Sequence, residues 1–156
     1  MKNEDYTAFR HYGQRLEGGI HTAVELWYGP IAWCRDPATA KAQYGPIASW
    51  DTSEITNMKL LFFHKPNFND DISRWDVSSV WDTHQMFDRA RSFNGDLSQW
   101  DVSNVKSMEW MFEDATSFTH QLGGAWSTST AHKGSMFRSC PGSIAGKTND
   151  FNGTPE

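Results

Sequence analysis

The chain has 156 residues, a formal charge of −5 from 14 basic and 19 acidic side chains, and 38% hydrophobic residues. That length suits one domain with a buried core. The acidic balance leaves no basic footprint for nucleic acid or anionic membrane, and no apolar run approaches the length of a membrane span. Eight tryptophans and an aromatic share of 14% are too many for a disordered chain.

The opening residues, Met1 to Tyr6, carry mixed charges with no apolar segment behind them, and do not read as a secretory signal. Leu16, Ile20, Val24 and Trp27 follow at helical spacing. Asp36-Pro37 reads as an N-cap with proline at the first helical position, and Gly45 is placed to stop a helix over 38–44. Residues 1–46 are therefore expected to form a helical cap.

From Ile47 the chain repeats at a constant step: Phe62, Phe87, Phe112 and Phe137 hold it, as do Ile47, Ile72, Leu97 and Leu122. Leu61, Met86, Met111 and Met136 keep it too, with Phe68, Phe93 and Phe118, and with Trp50, Trp75 and Trp100. The repeats are 47–71, 72–96, 97–121 and a degenerate 122–146, where Trp126 is displaced by one position; 147–156 is a tail. The phenylalanines and tryptophans are assigned to the repeat core.

Within a repeat, Asp96 to Val102 suits a brief strand. Val105, Met108, Met111, Phe112 and Ala115, spaced by three and four, predict one buried face of a helix, with Ser53, Ser78, Ser103 and Thr128 as N-caps. One strand-helix unit cannot bury its own apolar face, so neighbours must stack. The expected fold is an α/β solenoid, a leucine-rich-repeat-like right-handed stack of 25-residue strand-helix coils behind an N-terminal helical cap.

Gly45 to Ser53, Phe93 to Ser103 and Met111-Phe112 resemble the BspA-like leucine-rich repeat family, also called the DUF285 repeat. The resemblance implies a surface used for adhesion and protein interaction, with no general catalytic activity; no cofactor is expected. It also implies export or a place at the cell surface.

Cys140 stands where Ala90 and Ala115 stand and reads as a small core residue. Stacked repeats would hold it on the order of 15–20 Å from Cys34, too far for a disulfide, so both thiols are expected to be free. Asp51, Asp76 and Asp101, with Asp71 and Asp96, form acidic rows; an Asp two residues before Ser is placed to accept a backbone hydrogen bond, which weighs more than calcium binding. Asn69 and Asn94 read as side chains that satisfy loop amides. The six histidines show no tight metal-ligand spacing, and no nucleophile or phosphate-loop motif has a supporting context. No catalytic or metal residue is assigned.

On the expected helices, Leu60, Phe63, Trp81 and Trp110 project from the face opposite the core and form a candidate interface. The expected function is a non-catalytic protein-interaction or adhesion module that binds a protein partner or a second copy. Glycan recognition by the exposed aromatics is the alternative, ahead of ice binding through Thr52, Val77, Val102 and Ser127, and of a hydrolase.

Overall fold

A computed structural model describes residues 36–147. They fall into two sections divided between Asp51 and Thr52. In the first, helix α1 spans Pro37–Tyr44 as its end signals predict. The Asp36 carboxylate accepts from the Thr39 amide at 3.0 Å and from the Thr39 hydroxyl at 2.6 Å. Gly45, at φ 75°, ends the helix with its amide donating to the Lys41 carbonyl at 2.9 Å. A single 3-10 turn, Ile47–Ser49, follows. The helix expected over Leu16 to Trp27 lies outside the described residues, as does Cys34.

The second section is built around two aromatic columns with the period of the sequence. Phe62, Phe87, Phe112 and Phe137 stack with ring centroids 5.3, 5.4 and 5.4 Å apart and planes within 10° of parallel. Phe68, Phe93 and Phe118 form the second column at 5.6 and 6.0 Å. Within each repeat the columns touch: Phe62 on Phe68 at 3.8 Å, Phe87 on Phe93 at 4.1 Å, Phe112 on Phe118 at 4.2 Å. All seven rings are buried, each worth about 1.5–3 kcal/mol in area removed from water.

Trp75, Trp100 and Trp126 flank the columns and are buried as well. The indole of Trp100 donates to the Ile72 carbonyl at 3.2 Å. Trp50, in the first section, is half-buried and donates to the Gly45 carbonyl at 3.4 Å.

The expected α/β solenoid of strand-helix coils is not formed. Among the described residues there are two short α-helices, α1 and α2 (Ala125–Thr128), and one two-stranded parallel sheet, β1 (Gln121–Leu122) with β2 (Ser143–Ile144). The segments read as helices are pairs of tight turns. In the first, the Leu61 amide donates to Met58 at 3.2 Å and the Lys65 amide to Phe62 at 3.1 Å. Leu60 and His64, third in their turns, have φ of 61° and 54°, which makes these type II turns. The same left-handed pair recurs as Gln85 and Arg89, Trp110 and Asp114, and Ser135 and Ser139.

Left-handed backbone costs a residue with a Cβ about 1–2 kcal/mol, so something must hold these positions in place. Hydrogen bonds between repeats do so. The amides of Met58, Leu60, Phe62 and His64 donate to the carbonyls of Asp82, His84, Met86 and Asp88 at 2.8–3.0 Å. Thr83, Gln85, Phe87 and Arg89 repeat this toward the third repeat, and Met108, Trp110, Phe112 and Asp114 toward the fourth. Each donor therefore finds its acceptor in the next repeat, one position short of its own equivalent there. The parallel bridges Asn57 to Asp82, Asp82 to Ser107 and Ser107 to His132 lie in this same segment.

The helix expectation failed because its signal was a burial pattern. Val105, Met108, Met111, Phe112 and Ala115 are all buried, as a helix face would be. Two consecutive turns of four residues bring the same positions inward, and only the amide partner tells the two apart. Ser78 and Ser103 accordingly cap nothing; their amides donate to Asp76 and Asp101 at 2.9 and 3.0 Å. No helix among the described residues is long and apolar enough to cross a membrane.

Candidate functional site

With turns in place of the repeat helices, the expected outward helix face does not exist as such, and its four residues occupy three rows. Leu60 and Trp110 are equivalent left-handed turn residues, at φ 61° and 52°. Phe63 follows Leu60, its amide donating to the Leu60 carbonyl at 3.1 Å. Trp81 lies one position before the parallel bridge. Its amide donates to the Thr56 carbonyl and its carbonyl accepts from the Lys106 amide, both at 2.8 Å.

Trp81 is 43% exposed, the one large hydrophobic residue so open among the described residues, whereas Leu60, Phe63 and Trp110 are half-buried. His84 touches both residues of the Leu60 and Trp110 row. It meets Trp110 edge-on at 5.1 Å, and the His84 carbonyl accepts from the Leu60 amide at 3.0 Å. The Trp81 ring joins no other aromatic ring among the described residues, so the four residues do not make one continuous aromatic cluster.

Beside these residues runs a charged band that sequence reasoning passed over. Phe63, Asp88, Glu113 and Arg138 share one row, and His64, Arg89, Asp114 and Ser139 the next. Arg89 joins three repeats: its guanidinium donates to His64 Nε2, and its Nε lies 3.8 Å from Asp88 and 3.5 Å from Asp114. Arg138 pairs with Glu113 at 3.2 Å. With Arg89 and Arg138 well exposed, each pair is worth at most about 1 kcal/mol.

Asp88 is different, being only 2% exposed. Its Oδ2 accepts from Gln85 Nε2 at 2.8 Å, but Oδ1 has no hydrogen bond among the described residues. Burial pushes the Asp88 carboxyl above the usual range, against the pull of Gln85 and Arg89. Burial and then the Asp88 charge raise Glu113 as well. Asp88 is closed to a substrate, whereas His64 is exposed and Asp114 partly so; the band ties repeats together. Its signal was available in the rows of the repeat, which place acids beside bases in successive units.

The acidic rows at the bends act as Asx turns. Asp71 accepts from the Ser73 hydroxyl at 2.7 Å and amide at 3.0 Å, and Asp96 from the Ser98 amide at 2.9 Å, bonds that hold both carboxyls below their ordinary range. Asn69 and Asn94 accept from the amides of Asn94 and Thr119, one repeat ahead. Cys140 is free, buried, and pushed up to about 11 by burial. Thr52, Val77 and Val102 are buried, which removes them from any ice-binding surface.

A family model described as Mycoplasma protein of unknown function, DUF285, matches residues 36–149. No curated protein and no solved structure matches the chain.

Proposed function

The chain belongs to the DUF285 family, and from that premise we propose that it is a non-catalytic protein-interaction module that engages its partner through the surface around Trp81. The observation that carries this reading is the 43% exposure of an indole whose backbone is clamped on both sides by neighbouring repeats. A large apolar group left in water costs solubility without stabilising the fold, and a rigid backbone lets it dock without losing much conformational freedom. Leu60, Phe63 and Trp110, whose ring meets His84 edge-on, are only half-buried and are further apolar groups that a partner can reach.

The test is association of the purified chain, with itself by sedimentation equilibrium and with partners by affinity capture, compared with Trp81→Ala and Trp110→Ala. Weakened association by variants that unfold at the same denaturant concentration supports the reading. Unchanged association in both variants ends it, and glycan-array binding lost in the same variants replaces a protein partner with a carbohydrate.

A further inference from the structure

The hydrogen-bond rows of the turn segments 58–64, 83–89 and 108–114 are polar: their amides point toward the next repeat, and the carbonyls that receive them point toward the previous one. In the fourth repeat this leaves a one-sided edge. The carbonyls of His132, Gly134, Met136 and Arg138 accept from the third repeat, and those of Lys133, Ser135 and Phe137 from the turn amides of Met136, Arg138 and Cys140. The amides of Lys133, Ser135, Phe137 and Ser139, equivalents of the donors in every earlier repeat, have no acceptor among the described residues. Phe137 is buried, whereas Lys133 and Ser135 are half-buried and Ser139 is exposed.

The Ala131 carbonyl just before this stretch accepts from the Lys133 ammonium at 3.1 Å, so from 133 to 139 the edge offers donors; two such edges do not zip together, and the stretch needs a partner that brings carbonyls. Charge narrows the choice further. In an acidic chain, residues 115–149 contain neither Asp nor Glu but carry Lys133, Arg138 and Lys147. Lys147 is exposed, and so is Arg138, whose Nη1 lies 3.2 Å from Glu113. Burial of Lys133 and the nearby charge of Lys147 push the Lys133 ammonium below its usual pKa, a strain that an incoming anion relieves.

We infer that the edge of the fourth repeat docks an extended acidic peptide segment, whose backbone carbonyls accept from the amides of Lys133, Ser135 and Ser139 and whose carboxylates face Arg138 and Lys147. This is strand addition read by charge. It uses the end of the stacked rows and not the surface around Trp81, so either reading can fail without the other.

The probe is a capped heptapeptide of alternating glutamate and threonine, with its lysine-threonine counterpart as control, added to the full chain and followed by amide hydrogen exchange and calorimetry. Expected is slowed exchange at Lys133, Ser135 and Ser139 with the acidic peptide only, and binding about fivefold weaker for Arg138→Glu and for Lys147→Glu. Trp81→Ala binds the peptide like the unaltered chain. Three results overturn the inference: no protection at these amides, equal binding of the lysine peptide, or concentration-dependent protection of the same amides in the chain alone, which assigns the edge to a second copy.

Discussion

The indole of Trp126 donates to the Leu97 carbonyl at 3.0 Å, in a buried bond that reproduces the one from Trp100 to Ile72 one repeat earlier. Trp126 nevertheless stands one residue later than the period of the other tryptophans demands. The short helix α2 takes up the extra residue, so the position of the ring survives the shift in register. The same adaptation continues beyond it. Ile144 pairs with Leu122 although it stands three positions short of a full period, and the Lys147 amide closes onto Ile144 at 3.2 Å as Trp100 closes onto Leu97.

Replacing Trp126 by Phe keeps most of the buried area but removes one of the two donors to the Leu97 carbonyl, which keeps the Trp100 amide at 3.1 Å. A loss of about 0.5–1.5 kcal/mol is expected, the net worth of one hydrogen bond. Denaturant unfolding of Trp126→Phe measures it; a loss below about 0.5 kcal/mol would mean that water replaces the indole.

Ser139 separates the turn-built repeat from a helical one. At φ 55° and exposed, Ser139→Gly is expected to leave stability unchanged or raise it by up to about 1 kcal/mol, and Ser139→Val to lower it by about 1–2 kcal/mol. In a helix, glycine would instead cost about 0.5–1 kcal/mol relative to alanine. The order of the two unfolding midpoints decides between these backbones.

Asp88 sets a pH dependence of known sign. Its carboxyl is raised above the unfolded value of 3.8 by burial, so its contribution to stability is fully present below that pH and is lost as pH rises through the folded pKa. Asp88→Asn cannot lose a proton there, and its Oδ1 can still accept from Gln85. The melting temperature of the variant relative to the unaltered chain is therefore expected to climb as pH rises from about 4 to 7. A flat difference across that range would place Asp88 in contact with water.

Cys140, with its thiol pushed up to about 11, holds about one thiolate in a thousand at pH 8. Alkylation of Cys140 by iodoacetamide, read by peptide mass, is expected only when the fold opens, and its rate should rise with denaturant in step with unfolding. Rapid modification of the folded chain would contradict the burial.

The candidate interface was legible as residue types but not as a surface. Leu60, Phe63, Trp81 and Trp110 were singled out because they broke the core pattern, yet only Trp81 proved open to solvent. Exposure depends on which way a backbone carries each side chain, and the assumed helix sent them to one face while the turns divide them among rows. Asp88 was missed because burial of a polar residue leaves no mark on the apolar repeat pattern.

By itself the sequence determined the constant repeat period, the buried phenylalanines and tryptophans, the Asx turns at Asp76 and Asp101, and α1, whose Asp-Pro start and Gly stop are signals read within a single turn of chain. The tertiary structure decided the path of the backbone between them. An amide chooses between a carbonyl one helical turn behind it and one in the following repeat, and the second exists only after that repeat has packed its ring onto the column. Side-chain spacing is the same for both, so the choice was not written in the local pattern.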